Sequence, residues 1–373
     1  MNQEPIRVLN LFTIMNRGGA ETMVMNYYRN IDRSKVQFDF LVHREEIGAY
    51  EEEIKALGGR IYRMPPIYPQ NFVKYKKEIR NFLKKHPEYK IIHSHMSELG
   101  YFVFKEAKKQ GVHVRICHAH NSPHGWDLKM IMRNYFKYMM RPYITHMFMC
   151  GIESGEWLFD KKNKDKFIQL NNAIDAEQYV YDENIEKEVR TELGIKDEFV
   201  VGHVGRFNKQ KNHEKLIDIF YEITNITNNS KLILIGDGSL KQSMISKVES
   251  LNLQDKVMFL GTRSDVNRIM QTFDIYLFPS LFEGLSVSMV EAQAAGLQCF
   301  ISSSIPKECI ITDNVVTFDL NWNASKIAKM IVDLHSNYKR TNTYDQIVKA
   351  GFDIKSNAKK LEDFYIQEYM RNC

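Results

Sequence analysis

Two glutamates separated by seven residues, Glu283 and Glu291, lie in the run Phe282-Glu283-Gly284-Leu285-Ser286-Val287-Ser288-Met289-Val290-Glu291-Ala292. This run follows an apolar, β-rich stretch, Ile275–Phe278, and opens a helical one. The spacing puts Glu283 in the strand-to-helix loop and Glu291 about two turns into the helix. Gly284 permits a tight turn there, which would leave the backbone N–H groups of Leu285 and Ser286 facing an anion. A helix N-terminus has unpaired donors and partial positive charge, and both suit a diphosphate. The carboxylates suit sugar and ribose hydroxyls better than phosphate. A capping acid followed by a surface acid would give the same two residues.

The second signal is Val204-Gly205-Arg206-Phe207-Asn208-Lys209-Gln210-Lys211-Asn212, again between a strand and a helix. Arg206 supplies a planar fork and Lys211 a point charge, a pairing that clamps phosphoryl oxygens. A solvated basic loop is its bland counterpart. The third signal is a group of histidines at strand ends. His93 and His95 close one strand, and His118 and His120 lie in Cys117-His118-Ala119-His120-Asn121-Ser122 at the end of another. Residues two apart share a face of a strand, so spacing does not choose within either pair. Nine of the 12 histidines precede Asp175. Gly18-Gly19 after the first strand would let backbone approach a ligand closely, or simply make a turn.

These residues need strands that end together, and the pattern supplies them. Strands are expected at Ile6–Phe12, Val36–Val42, Lys90–Ser94, Val112–Cys117 and His146–Met149, with helices between. After the polar, turn-rich Asn171-Asn172-Ala173-Ile174-Asp175, suited to a hinge, the alternation restarts. Further strands are expected at Phe199–Val204, Lys231–Ile235, Val257–Leu260, Ile275–Phe278 and Gln298–Ile301. Strand–helix alternation means parallel sheets covered on both faces. A last helix, about Lys355 to Tyr369, comes after the second sheet is complete and is expected to pack back on the first domain.

Composition excludes several classes. With 44% hydrophobic and 26% charged residues, the 373-residue chain reads as globular and too long for one core. No run reaches the roughly 18 apolar residues of a membrane span. The start lacks a basic leader region, so a cytoplasmic location is expected. Five scattered cysteines without a Cys-x-x-Cys pair fit a reducing compartment and argue against a zinc site. Residues 1–175 carry a surplus of nine positive charges and the remainder a surplus of four negative ones, for a net +5. The basic half suggests an anionic partner. Gly236-Asp237-Gly238 fails as a nicotinamide fingerprint because Lys241 stands where its third glycine belongs.

Taken in order, Gly18-Gly19-Ala20-Glu21, Gly205-Arg206 with Lys211, and Glu283 with Glu291 resemble the retaining glycosyltransferases of family 4, including bacterial capsular and exopolysaccharide enzymes. The resemblance covers the whole chain. It implies an α/β chain of GT-B fold: two Rossmann-like, doubly wound parallel-sheet domains facing a central cleft. Residues 1–175 would form the acceptor-side domain, 176–354 the nucleotide-sugar donor domain, and 355–373 the returning helix. It implies sugar transfer from a UDP- or GDP-activated donor, UDP before GDP, to a saccharide or lipid-linked saccharide. Arg206 and Lys211 would bind the diphosphate and support the leaving group, Glu283 the hydroxyls of the transferred sugar, and Glu291 the ribose. Gly18, Gly19, Arg263, Gly284, Leu285 and Ser286 would complete the donor site. His118, ahead of His120, would lie beside the reacting sugar, with His93 and His95 on the acceptor side. Leu285-Ser286 stands where the family often has a second glycine.

No Asp-x-Asp occurs in the chain, so the basic pair and helix amides are expected to replace a metal, and no cofactor is expected. The rivals are a nucleotide-sugar epimerase or glycan phosphorylase on the same fold, and a non-catalytic nucleotide-sugar-binding protein. No nucleic-acid partner is expected. Two basic-aromatic segments, Lys74 to Lys90 and Arg133 to Arg141, read either as helices packing apolar faces on the sheet or as a face resting on anionic lipid.

Overall fold

The computed structural model describes residues 4–120 and 128–372, which divide into two compact units. The first holds residues 4–173 with 354–372, and the second holds 174–353. The divisions fall at 173/174 and 353/354, against the expected 175/176 and 354/355.

The first unit runs β1 (Ile6–Phe12), α1 (Gly19–Asn30), β2 (Val36–Val42), α2 (Glu51–Ala56), β3 (Ile61–Arg63), α3 (Phe72–Lys85), β4 (Ile91–Ser94), α4 (Tyr101–Lys109), β5 (Val114–Ala119), α5 (Leu128–Met140), β6 (His146–Met149), α6 (Ile152–Phe159) and β7 (Phe167–Gln169). The second runs α7 (Glu183–Glu192), β8 (Phe199–Val204), α8 (His213–Ile226), β9 (Ser230–Ile235), α9 (Lys241–Ser250), β10 (Val257–Gly261), α10 (Val266–Ile269), β11 (Ile275–Phe278), α11 (Val287–Ala294), β12 (Gln298–Ser302), β13 (Val315–Phe318), α12 (Ala324–His335) and α13 (Tyr344–Lys349). The last helix, α14 (Ile354–Asn372), belongs to the first unit.

Both sheets are parallel, in the orders β3-β2-β1-β4-β5-β6-β7 and β10-β9-β8-β11-β12-β13. Each winds outward in one direction and then restarts on the other side of its first strand. The reversal lies between β1 and β4 in one unit and between β8 and β11 in the other. Open α/β sheets bind ligands outside the carboxyl ends of strands at that reversal.

Alternation builds the cores. Val8 and Phe12 of β1 bury on one face of the sheet and Leu9 and Leu11 on the other. Val201, Leu232 and Leu277 pack opposite Val200, Ile233 and Tyr276 in the same way. Each such buried side chain contributes about 1.5–3 kcal/mol. On α14, Ala358, Leu361 and Tyr365 pack into the cluster that contains Phe38 and Phe40. The edge strands β3, β7 and β13 are absent from the sequence reading. They have three or four residues, of which only Phe318 is buried, too little for a periodic signal.

Candidate active site

In the second unit the loops after β8 and β11 are stitched together. Leu281 N–H donates to Gln210 O at 2.8 Å, Gln210 Nε2 to Phe282 O at 3.0 Å, and Asn212 Nδ2 to Pro279 O at 3.1 Å. The turn Lys209–Lys211 is closed by Asn208 Oδ1, which accepts Lys211 N–H at 3.1 Å. Lys211 Nζ then reaches Glu283 Oε1 at 2.8 Å and sits 4.6 Å from the centroid of the Phe278 ring. That contact is a close charge pair without the alignment of a hydrogen bond. Arg206 is exposed and, among the described residues, has no ion-pair partner. Two cations therefore stand at the end of β8, one free and one held by a carboxylate.

Gly236, with φ of 137°, brings the loop after β9 against the β8 loop, where a Cβ would meet Gly205 O at 2.1 Å. Glycine there is a packing requirement rather than a phosphate-binding device. Gly284 is different, since it has no positive φ and a Cβ would meet nothing within 4 Å. The tight turn expected of Gly284 is therefore not what the glycine supplies; its missing side chain leaves open space before α11. Of the two amides expected to face an anion there, Leu285 N–H has no partner among the described residues. Ser286 N–H instead lies against the Cys309 sulfur, whose thiol donates to Gly284 O at 3.3 Å.

Glu291 lies on the second turn of α11, where burial raises its carboxyl above the usual range and a hydrogen bond from Tyr179 Oη, 2.7 Å away, lowers it again. Arg263 forms a fork to Asp265 at 2.9 and 2.7 Å in the loop after β10, the sheet edge. It is engaged, in contrast to Arg206.

In the first unit, the carboxyl ends of β4 and β5 bring His93, His95, His118 and His120 together. His118 and His120 stack with ring centroids 4.3 Å apart, as do His93 and His95 at 4.4 Å. His93 and His118 are fully buried, whereas His95 and His120, just past the strands, are half-buried. Of the two rings between which spacing could not choose, His118 is the more deeply buried and His120 the less. Burial holds His93 down at about 3 and His120 at about 4, both from an ordinary 6.5, and His95 and His118 well below it. Cys150, the first residue after β6, closes the group, so that His118, His120 and Cys150, like His93, His95 and His118, have donor atoms within 4.8 Å of one another. Gly18 precedes α1, where a Cβ would meet Glu21 Oε2 at 2.3 Å, while Gly19 is open. Asn121 and Ser122 lie outside the described residues.

The structure thus gathers Arg206, Lys211, Glu283, Gly284, Leu285, Ser286 and Glu291 in one unit, and the histidines with Gly18 and Gly19 in the other. Sequence reasoning missed Tyr179, Gln210 and Cys150. Cys150 had a usable signal, its place directly after a parallel strand; Tyr179 and Gln210 had none.

Two family models match the chain: Glycosyltransferase Family 4 over residues 17–150 and Glycosyl transferases group 1 over residues 184–352. The glycosyltransferase EpsF of Bacillus subtilis (strain 168) is 36% identical over 374 residues, covering 98% of this chain and 97% of its own length. The UDP-Gal:alpha-D-GlcNAc-diphosphoundecaprenol alpha-1,3-galactosyltransferase of Escherichia coli is 26% identical over 302 residues, 76% of this chain and 77% of its own. Among solved structures, Anabaena HepE in complex with UDP matches with a TM-score of 0.79 at 17% identity, covering 97% of this chain and 100% of that one. At that identity the likeness speaks to the fold.

Proposed function

The chain belongs to the glycosyltransferases of family 4 and is built on the GT-B fold, and from that premise we propose that it transfers a sugar, with retention, from a UDP-activated donor to a lipid-linked saccharide in surface-polysaccharide assembly. The observation that carries this reading is the Arg206–Lys211–Glu283 group at the carboxyl ends of β8 and β11, beside the reversal of the second sheet. A diphosphate arriving there offers Lys211 more negative charge than the single carboxylate it now holds, and Arg206 is free to bind it. Lys211 moves to phosphate, and Glu283 is released to accept hydroxyls of the transferred sugar. Glu291, held by Tyr179, takes the ribose hydroxyls.

As the sugar–phosphate bond breaks, charge grows on the leaving diphosphate. Fixed cations stabilise that charge more than they stabilise the ground state. The leaving phosphate takes the acceptor's proton on the same face, so no separate base is needed and no metal is required on the diphosphate. UDP is favoured by the E. coli relative, which is named for a UDP-galactose donor and a diphosphoundecaprenol-linked acceptor, and by the UDP bound to HepE.

The reading includes a position at the membrane surface, and α5 supports it. On α3, Tyr75, Ile79 and Leu83 bury against the sheet, so that segment's apolar face is spent on the core. On α5, Ile131, Tyr135 and Tyr138 form a helical stripe left 66%, 58% and 69% exposed, with Arg133 exposed beside it. No helix among the described residues is long and apolar enough to cross a membrane. The stripe suits a peripheral seat on anionic lipid, where a lipid-linked acceptor resides.

Nucleotide release with UDP-sugars, with and without a polyprenyl-diphosphate saccharide, tests the reading. Release that depends on acceptor, with the anomeric configuration kept, is expected. Release without acceptor would point to an epimerase, dependence on inorganic phosphate to a phosphorylase, and UDP binding without turnover to a binding protein.

A further inference from the structure

We propose that Cys150 completes a one-way hydrogen-bond chain that fixes His93, His118, His120 and His95 as neutral Nε2–H tautomers, making Cys150 a positioning residue for His120. The functional half of this inference rests on the proposed sugar transfer and adds to it that substrate approaches His120, the less buried of the two rings after β5. The structural half stands on distances alone.

The chain begins on α14 and ends on β1. Tyr365 Oη is 2.7 Å from His93 Nδ1, and His93 Nε2 is 3.2 Å from His118 Nδ1. His118 Nε2 lies 3.4 Å from Cys150 Sγ, which lies 3.2 Å from His120 Nδ1. His120 Nε2 is 2.8 Å from His95 Nδ1, and His95 Nε2 is 3.4 Å from Asn10 Oδ1. A neutral imidazole has one donor and one acceptor, and a thiol has one donor with weak acceptor capacity.

The last link sets the direction. Asn10 Nδ2 faces the Val8 carbonyl at 3.4 Å, which can only accept, so Oδ1 is turned to His95. That oxygen cannot donate, so His95 carries its proton on Nε2. Its Nδ1 must then accept from His120 Nε2–H, whose Nδ1 accepts from the Cys150 thiol. Cys150 sulfur in turn accepts from His118 Nε2–H, His118 Nδ1 from His93 Nε2–H, and His93 Nδ1 from the Tyr365 hydroxyl. Cys150 Sγ also lies 3.6 Å from Met23 Sδ and 3.8 Å from Asn172 Oδ1, both longer than its 3.2 Å contact with His120 Nδ1, and with the thiol proton on that shortest contact every ring nitrogen of the series is satisfied. Protonating any ring sets two donors face to face.

Two other titratable groups border the cluster, and both are engaged elsewhere. Tyr27 of α1 donates to Asn171 O at 2.9 Å, and His146 of β6 lies 3.4 Å from Glu368. The consequence is that His120 has no ring nitrogen left for substrate. It meets a sugar through its ring surface or backbone and neither gives nor takes a proton, consistent with a transfer in which the leaving phosphate does so.

Nitrogen-15 NMR of histidine-labelled protein, together with zinc and copper analysis, tests the chain directly. Four histidines with protonated Nε2 and bare Nδ1 are expected in the wild type and in Cys150→Ser, whose hydroxyl still donates and accepts. In Cys150→Ala, the patterns of His118 and His120 should collapse into mixed tautomers. A protonated Nδ1 at any of the four in the wild type, or stoichiometric zinc or copper lost on Cys150→Ala, would overturn the proposal. In kinetics, Cys150→Ala should lower kcat about tenfold or more with KM for UDP-sugar within twofold, and Cys150→Ser should restore most of the rate. Loss of rate that Ser does not restore, with tautomers intact, would overturn the positioning role. A His120→Ala variant with wild-type kcat would instead remove the substrate role of His120 and leave the tautomer result standing.

Discussion

Lys211 Nζ rests 2.8 Å from Glu283 Oε1, so the lysine and the acid that the family resemblance assigns to different parts of the donor hold each other. The pair is largely screened from water, with side-chain exposures of 13% and 7%. Separating its members exposes each to a new partner. Binding phosphate to one and sugar to the other offsets that loss together, so donor fragments should bind differently from the whole donor.

Glu283→Gln should free Lys211 and leave UDP affinity unchanged or tighter, while transfer falls about 10²–10³-fold. Calorimetry with UDP beside steady-state kinetics reads both. Lys211→Ala and Arg206→Ala should lose rate by a similar factor with the thermal transition intact. Wild-type turnover in either would remove the diphosphate role.

Glu291→Ala should weaken UDP binding by about 1–3 kcal/mol, as a buried carboxylate with two hydroxyl partners is lost. Tyr179→Phe keeps the ring but drops the hydrogen bond to Glu291, and about 1 kcal/mol is expected. An effect of Tyr179→Phe on kcat alone, with UDP affinity unchanged, would contradict the assigned geometry.

In the proposed mechanism Arg206 and Lys211 stand in for a divalent ion on the diphosphate, so activity is expected to persist in EDTA. Complete loss that Mn²⁺ restores would mean that the phosphate-neutralising role was wrongly assigned.

Vesicles containing anionic lipid should sediment the protein at low salt and release it at several hundred millimolar, as screening shortens the reach of its charges. Replacing Lys76, Lys77, Lys84 and Lys85 with Glu should weaken that binding and spare UDP affinity. Ile131→Ser with Tyr135→Ser and Tyr138→Ser should abolish it. Wild-type protein that ignores such vesicles at low salt would favour an acceptor delivered in solution.

The buried histidines set an acid limit on stability. His93 is held at about 3, and His43, His120 and His213 at about 4, by burial. The unfolded chain binds these protons near 6.5, the folded chain only far lower. Their contribution is therefore complete above about 6.5 and is lost progressively as pH falls toward 4. Melting temperature should drop between pH 6.5 and 5, with protons taken up on unfolding; a flat profile over that range would count against neutral, buried rings.

Much of this molecule is local and so was legible in the sequence. Alternating burial along Ile6–Phe12 and Phe199–Val204, with breakers after them, placed most strands to within a residue or two, because side-chain alternation depends only on near neighbours. The same locality put Arg206, Lys211 and Glu283 in loops that follow strands and Glu291 in the helix after one of them. Strand order is not local. Lys211 meets Glu283 because β11 pairs with β8 rather than with its chain neighbour β10, a long-range choice that no short window contains. Burial of His118, access to His120 and the joining of both through Cys150 follow from β4, β5 and β6 lying side by side with α14 beneath them. Tyr179 reaches Glu291 across 112 residues. Tertiary packing alone decides such contacts, since two side chains become partners only when the sheet that carries them has closed.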